Sequence, residues 1–488
     1  MTREPLNVVI LGGSFAGISV AHQFLDNIIS SLSTFEEAPT YRVVLVSPST
    51  HLYWNICAPR AIVSDELIPV ESAFVEIEPG FSRYSFNVFT FMQGLATRVD
   101  TSAHTVTVEL ASNDNNKASK RSSALSGATD RTDSTTRSRS ALPTSPTTPT
   151  DYRPTGASRT SIIQTIPYHA LILATGTSAN SPLYSLHGSH ENTIAEIRQF
   201  HAQVQNAQSI LIVGGGPPTI KELPPRPASS TTATTPSIQI TPPTTSPHPR
   251  QRRTAKTITL LSGSTRLLPK LPEPVGAHAS KLLARLGVHV VHSIRQVAAT
   301  HNADGSANCI LNNDMTITAD LVIEATGVTP NTSYLPASML DDAGYVITDP
   351  EDLRVYGPDI GARVYAVGDC ASYSKNYVLD VYEAVPVLAK NLQNDLLAHE
   401  YRLEAQLSRA EPAAVVRRVE RLRDARFVQN PTDSQLMPIS RYGGVGVIFD
   451  VRVPSFMVHL LKGRDYKLGK AGAAVGRGRN PYETPGKR

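Results

Sequence analysis

Short aliphatic runs, each stopped by glycine or a polar turn, recur along this chain. Val8-Val9-Ile10-Leu11 leads into Gly12, and Ala170-Leu171-Ile172-Leu173 into Ala174-Thr175-Gly176. Ser209-Ile210-Leu211-Ile212-Val213 leads into Gly214-Gly215-Gly216, Leu321-Val322-Ile323-Glu324 into Ala325-Thr326-Gly327, and Val364-Tyr365-Ala366-Val367 into Gly368-Asp369. Runs this short and this continuously apolar read as strands buried on both faces, as in parallel sheets. Ile18 to Ala21 opens a helix after the first run, and Pro274 to Leu286 reads as an amphipathic helix ending at Gly287. Lys256–Leu261, Val288–Val291, Thr105–Leu110 and Ser161–Ile166 read as further strands. The alternation predicts an α/β protein with two Rossmann-like dinucleotide-binding domains. Met437–Ser440, Tyr442–Val447 and Val451–Val453 read as strands of a small C-terminal cap. The expected division is 1–183 and 331–400 for the first domain, 184–330 for the second and 401–488 for the cap.

The turns between strand and helix carry the chemistry. In Gly12-Gly13-Ser14-Phe15-Ala16-Gly17, Gly12 permits the sharp turn and the small residue at 14 lets backbone approach a pyrophosphate. Gly17 lets the helix pack on its strand, and the free N–H groups at the start of that helix face the phosphates. Ser14 stands where the fingerprint has its second glycine. Gly368-Asp369 closes a strand as in two-dinucleotide flavoproteins, where the aspartate holds the ribityl chain of FAD. Thr175-Gly176 and the near-copy Thr326-Gly327 complete a set of four strand ends in the expected order. The cofactor expected is FAD, with NAD(P)H as a weakened electron donor.

The weakness is expected because the second unit departs from the pattern. Thr219 replaces its third glycine, and Pro224 and Pro225 lack N–H donors and break a helix at a cost of ~3 kcal/mol each. Sequence rich in Ser, Thr and Pro follows to Thr254, so 224–254 is expected to be disordered, as is a similar insertion at 112–160. A mistranslated stretch within 217–254 is the competing explanation. Ser262-Gly263 ends the strand where NAD-specific enzymes place an acid, with Arg266 nearby, which favours NADPH.

Composition narrows the classes. At 488 residues the chain holds two or three domains, and a net charge of +4 argues against nucleic acid as a partner. Cys57, Cys309 and Cys370 form no CxxC or CxxxxC pair, against dithiol chemistry beside a flavin. The 14 histidines have no ligand spacing, so no metal is expected. No run approaches a membrane span, and the first strand begins too early for a cleavable targeting peptide, so the expected location is cytoplasmic. Pro454 to Lys462 is apolar and basic, and eight Lys/Arg against two acids follow from Lys462 onward, which suits a peripheral lipid surface such as the outer mitochondrial membrane.

Trp54-Asn55-Ile56-Cys57-Ala58-Pro59-Arg60-Ala61, Leu267-Leu268-Pro269-Lys270-Leu271 and Pro454-Ser455-Phe456-Met457-Val458 give the chain a more specific likeness. It resembles the AMID-like flavoproteins, relatives of apoptosis-inducing factor, ferroptosis suppressor protein and type II NADH dehydrogenases. The resemblance implies electron transfer from NAD(P)H through FAD to a quinone or similar small acceptor. It implies that Arg60 contacts the flavin, that Ala96 touches its adenosine half, and that Lys462 lies near the flavin as the catalytic residue. A biosynthetic FAD oxidoreductase and a redox-impaired flavin scaffold are the alternative readings.

Overall fold

The computed structural model describes residues 4–32, 39–111, 162–216, 256–408 and 412–483. The chain opens with β1 (Leu6–Leu11) and α1 (Phe15–Gln23), which runs on through a π-turn to Leu32. β2 (Tyr41–Ser47) follows, then a ribbon of β3 (His51–Tyr53) and β4 (Phe74–Glu76) enclosing the short α2 (Ala58–Ala61). β5 (Phe89–Asp100), β6 (Thr105–Leu110), β7 (Ile162–Pro167) and β8 (Ala170–Leu173) complete this part. β9 (Thr177–Ala179) leads out to α3 (His190–Asn206), β10 (Ser209–Val213), β11 (Thr257–Ser262), α4 (Glu273–Arg285) and β12 (Val288–His292). A meander of β13 (Gln296–His301), β14 (Ala307–Leu311) and β15 (Thr316–Ala319) precedes β16 (Leu321–Glu324). β17 (Val328–Pro330) returns the chain to β18 (Val364–Ala366) and the long α5 (Val378–Ser408). α6 (Pro412–Glu420), β19 (Gln435–Ile439), β20 (Gly443–Ile448), β21 (Val451–Arg452), α7 (Ser455–Val458) and α8 (Ala471–Arg477) finish it.

The first sheet has seven strands in the order β18-β8-β1-β2-β5-β6-β7, and the second has four in the order β12-β11-β10-β16. β1 pairs in parallel with β2 and β8, and β10 in parallel with β11 and β16. Their apolar runs are buried for the reason the sequence suggests: both faces are covered. Val8, Ile10 and Ile172 pack with Ile18 of α1 and Leu388 of α5, while Val9, Leu11 and Leu173 pack with Met339 and Val346. In the second sheet Ile210 and Ile212 join the core of Val275 and Leu283, and Leu211 and Val213 face the meander through Cys309 and Leu311.

The sheets are joined by a ribbon of two strands. β9 leaves the first and β17 re-enters it, paired antiparallel with Thr177 opposite Pro330. The three cap strands form an antiparallel sheet, β19-β20-β21. The expected strands are present with ends shifted by a residue or two. Pro454 to Lys462 is not one helix: α7 stops at Val458 and a π-turn, His459–Gly463, continues it. The expected insertions, 112–160 and 224–254, lie outside the described residues, as do Thr219, Pro224 and Pro225.

Candidate functional site

The first turn is built by sheet register. Gly12 N–H donates to the carbonyl of Val46 (2.8 Å) and Ala174 N–H to that of Leu11 (2.9 Å), so three strand ends fix one turn. Gly12 has φ +118°, and a Cβ there would stand 2.1 Å from the carbonyl oxygen of Ala174. A Cβ on Gly17 would lie 1.9 Å from the Gly12 carbonyl oxygen, so only glycine lets α1 start this close to its strand. Ser14 adopts φ −118° and ψ −162°, extended backbone open to any residue, and its exposed hydroxyl makes no capping bond. The backbone at position 14 therefore needs no glycine. Phe15, Ala16 and Gly17 stand in the first turn of α1, which holds no acidic side chain, so the N–H end is open to an anion.

Gly368 and Asp369 follow β18 on the other side of β8. Gly368 has φ +82°, and a Cβ there would meet the Ala16 methyl at 3.2 Å. Asp369 lies deep yet keeps some accessible surface, as a group lining a recess does. Burial, helped by the charge of Asp380, pushes its carboxyl up to about 6. Such a carboxylate lacks donors, and a ribityl hydroxyl is a donor of the kind it needs. Glycine cradle and unsatisfied acid together fit FAD. Tyr373, whose hydroxyl accepts from Gly368 N–H (3.5 Å), and Tyr382 of α5 are half-buried, and desolvation holds their hydroxyls protonated.

The other expected residues fall into three groups. Thr175 Oγ1 donates to the carbonyl of Asn331 (2.7 Å), and Asn331 Nδ2 donates to the carbonyl of Thr175 (3.0 Å). Together with Gly176, whose carbonyl accepts from Asn331 N–H (3.0 Å), it staples β8 to the returning strand. Ala96 sits on β5 three residues past Gln93, the partner of Ser47 at the end of β2. Arg60 on α2 reaches the C-terminal segment: its guanidinium lies 4.7 Å over the ring of Tyr466, and Nη1 donates to the carbonyl of Arg464 (3.3 Å). Lys462 is partly buried in the π-turn, and its carbonyl accepts from Tyr466 N–H (2.8 Å). Cys57 and Cys370 are buried and free, and burial holds the Cys57 thiol up at about 12, which makes it a packing group at neutral pH.

The second turn repeats the first. Gly214 has φ +124°, its N–H donates to Leu261 (2.9 Å), and Ala325 N–H donates to Val213 (3.0 Å). A Cβ on Gly215 would stand 2.5 Å from Ser262 Oγ, as one on Gly13 would stand 2.7 Å from Ser47 Oγ. Arg266 is not available there: it donates to the carbonyls of Leu268, Pro269 and Leu271 and holds their turn together. Arg295, unremarked in the sequence, lies against Gly263 instead, with its Nε donating to the Gly263 carbonyl (3.4 Å). Its backbone is pinned through both N–H and carbonyl to Asn312, leaving the guanidinium over the end of β11. The glycine at 263 was the available signal, since any side chain there would displace this arginine.

A family model for pyridine nucleotide-disulphide oxidoreductases matches residues 6–223 and 230–390, the span that holds both turns. The chain belongs to this family. Over 469 residues it is 30% identical to oxidoreductase phnG of Penicillium herquei, covering 95% of this chain and 94% of that one. Oxidoreductase ptaL of Pestalotiopsis fici is 28% identical over 387 residues, covering 79% and 82%. The fold is also that of a ferredoxin reductase from Rhodopseudomonas palustris, with a TM-score of 0.50, 15% identity, and 79% and 76% of the chains covered. Family membership carries a general NAD(P)H–flavin oxidoreductase activity. Among the described residues no cluster of His, Cys, Asp and Glu could hold a metal ion, and no helix is long and apolar enough to cross a membrane.

Proposed function

We propose that this family member is an FAD-dependent oxidoreductase of AMID-like type that carries electrons from NADPH to a quinone or similar small acceptor. The observation that carries the reading is the pair of equivalent turns, Gly12–Gly17 and Gly214–Gly216, whose strand ends meet at the β9–β17 ribbon. Bound there, FAD would supply hydride acceptance and electron release. Residues of this chain then have separate tasks. Gly12, Gly13 and the start of α1 receive the pyrophosphate, Asp369 accepts from the ribityl chain, and Gly368 leaves room for it. Ser262 and Arg295 favour the 2′-phosphate of NADPH, because an acid that would repel it is missing and a cation is present. Lys462 offers its ammonium to the reduced, anionic flavin or to a quinone carbonyl.

Support for an acceptor drawn from a lipid surface comes from the cap. Phe456 and Leu460 are 61% and 58% exposed, with Tyr442, Phe449 and Val451 also outward and Arg452 and Arg464 in the same region. The protein would then be cytoplasmic and held peripherally on the membrane.

Anaerobic addition of NADPH to the purified protein tests the reading. Bleaching of an oxidised flavin spectrum, reversed by a soluble quinone and slower with NADH, is expected. A flavin spectrum that neither nucleotide changes would exclude the donor, leaving a flavin-binding scaffold.

A further inference from the structure

We infer that residues 464–483 form a strap that retains the flavin, with Tyr466 as the residue that positions Arg60 and Trp54 for it. The inference rests on the flavin reading above and adds to it a part of the chain far in sequence from either dinucleotide turn.

The strap leaves the cap after Gly463 and turns at Tyr466 and Lys467, both left-handed at φ 50° and 59°. Tyr466 is only 2% exposed. Its carbonyl accepts from Trp54 Nε1 (3.1 Å), and its ring lies under the Arg60 guanidinium. The ring of Trp54, itself fully buried, leans on Phe15 at 5.2 Å, at the first residue of α1. One strap residue therefore holds the segment carrying Arg60 directly and reaches the start of α1 through Trp54.

A second anchor lies along α1 itself. His22 Nε2 bonds the carbonyl of Val475 (2.7 Å), Ser19 Oγ donates to that of Gly478 (3.2 Å), and Arg83 Nη1 to that of Gly476 (2.6 Å). Burial lowers His22 to about 4, so the ring is neutral near pH 7: Nε2 carries its proton toward Val475, and Nδ1 faces Arg83 and Tyr84, with Asp26 beyond. Gly478 (φ +61°) packs so closely that a Cβ would meet Ser19 Cα at 3.1 Å. Tyr482 then arrives beside Tyr382 of α5. Strap and cofactor order the same elements, so each must strengthen the binding of the other.

Full-length Tyr466→Ala, Tyr466→Phe and Gly478→Val proteins, loaded with FAD, test this by FAD dissociation rate, flavin absorbance and apo-protein melting. Tyr466→Ala should release FAD about tenfold faster, the loss of the cation–π contact with Arg60 and of the buried ring that holds it, and shift the flavin band. Tyr466→Phe, which keeps the ring, should restore both. Gly478→Val should speed release from the other anchor and carries the test if Tyr466→Ala does not fold. Unchanged dissociation in both Tyr466→Ala and Gly478→Val, from a wild-type protein that holds FAD, overturns the strap alone. A wild-type protein that binds no FAD overturns the flavin reading, and the strap with it.

Discussion

The two glycine turns of this chain are nearly superimposable in their backbone bonding and unlike in their sequence. Gly12 and Gly214 share a positive φ, a donated bond to the neighbouring strand and a third strand closing from the other side. Ser47 and Ser262 even make the same bond, Oγ to the carbonyl two residues on, at 2.9 and 3.2 Å. The first turn then runs straight into α1, where Gly17 must be glycine, whereas the second reaches Thr219 at the corresponding place. The difference teaches that strand register is enough to shape the turn whatever residue stands five positions on. A glycine turn of this kind can keep its floor while the sequence that follows it drifts.

The comparison can be broken most forcefully at Gly17. Valine there would collide with the Gly12 carbonyl, and we expect FAD content to vanish together with at least ~3 kcal/mol of stability, read by flavin absorbance and thermal unfolding. Gly215→Val is the matched change in the second turn. It should leave FAD bound and abolish bleaching by NADPH, and a variant that lost FAD instead would show that the turns do not act separately.

Asp369 gives the next largest effect. Its carboxyl is raised from 3.8 to about 6 in the folded protein. The folded state thus holds this proton more tightly than the unfolded chain does, so stability is lost as pH rises between those values and stays lost above them. The cost is about 2–3 kcal/mol at neutral pH without cofactor. Asp369→Asn should therefore melt higher than wild type as apo-protein at pH 7.5, with no gain at pH 3.5, while binding FAD more weakly. Nothing equivalent is expected at Thr326-Gly327 in the second sheet, where no aspartate follows.

The smallest effect sharpens the second turn. Arg295→Ala should raise the KM for NADPH about tenfold, the worth of one charge-assisted bond, with kcat and the KM for NADH unchanged. Arg266→Ala should instead lower stability, since that side chain serves the 268–271 turn.

Much of this was legible in the sequence because buried parallel strands and their glycine turns are local patterns. Gly12, Gly17, Gly368 and Asp369 could be named because four such strand ends follow one another in the expected order. Arg266 and Arg295 could not be told apart, because which arginine is consumed by backbone carbonyls depends on a turn geometry that spacing does not encode. Thr175 was legible as a strand end but not as a staple, since Asn331 comes from the far side of the second sheet. The anchoring of Tyr466 under Trp54 and Arg60 was hidden for the same reason: residues 412 positions apart meet only after both sheets and the cap are in place.

The ribbon of β9 and β17 has a consequence for how such a molecule can change. Thr177 and Pro330 face each other across one strand pairing, about 5 Å apart, so everything between them enters and leaves through a single doorway. The second sheet is in effect a cassette. It could be excised and its ends rejoined by a short loop without disturbing the order of the seven strands, or exchanged for another reader of a different electron donor. A gene built this way can rewrite its fuel supply and keep its engine.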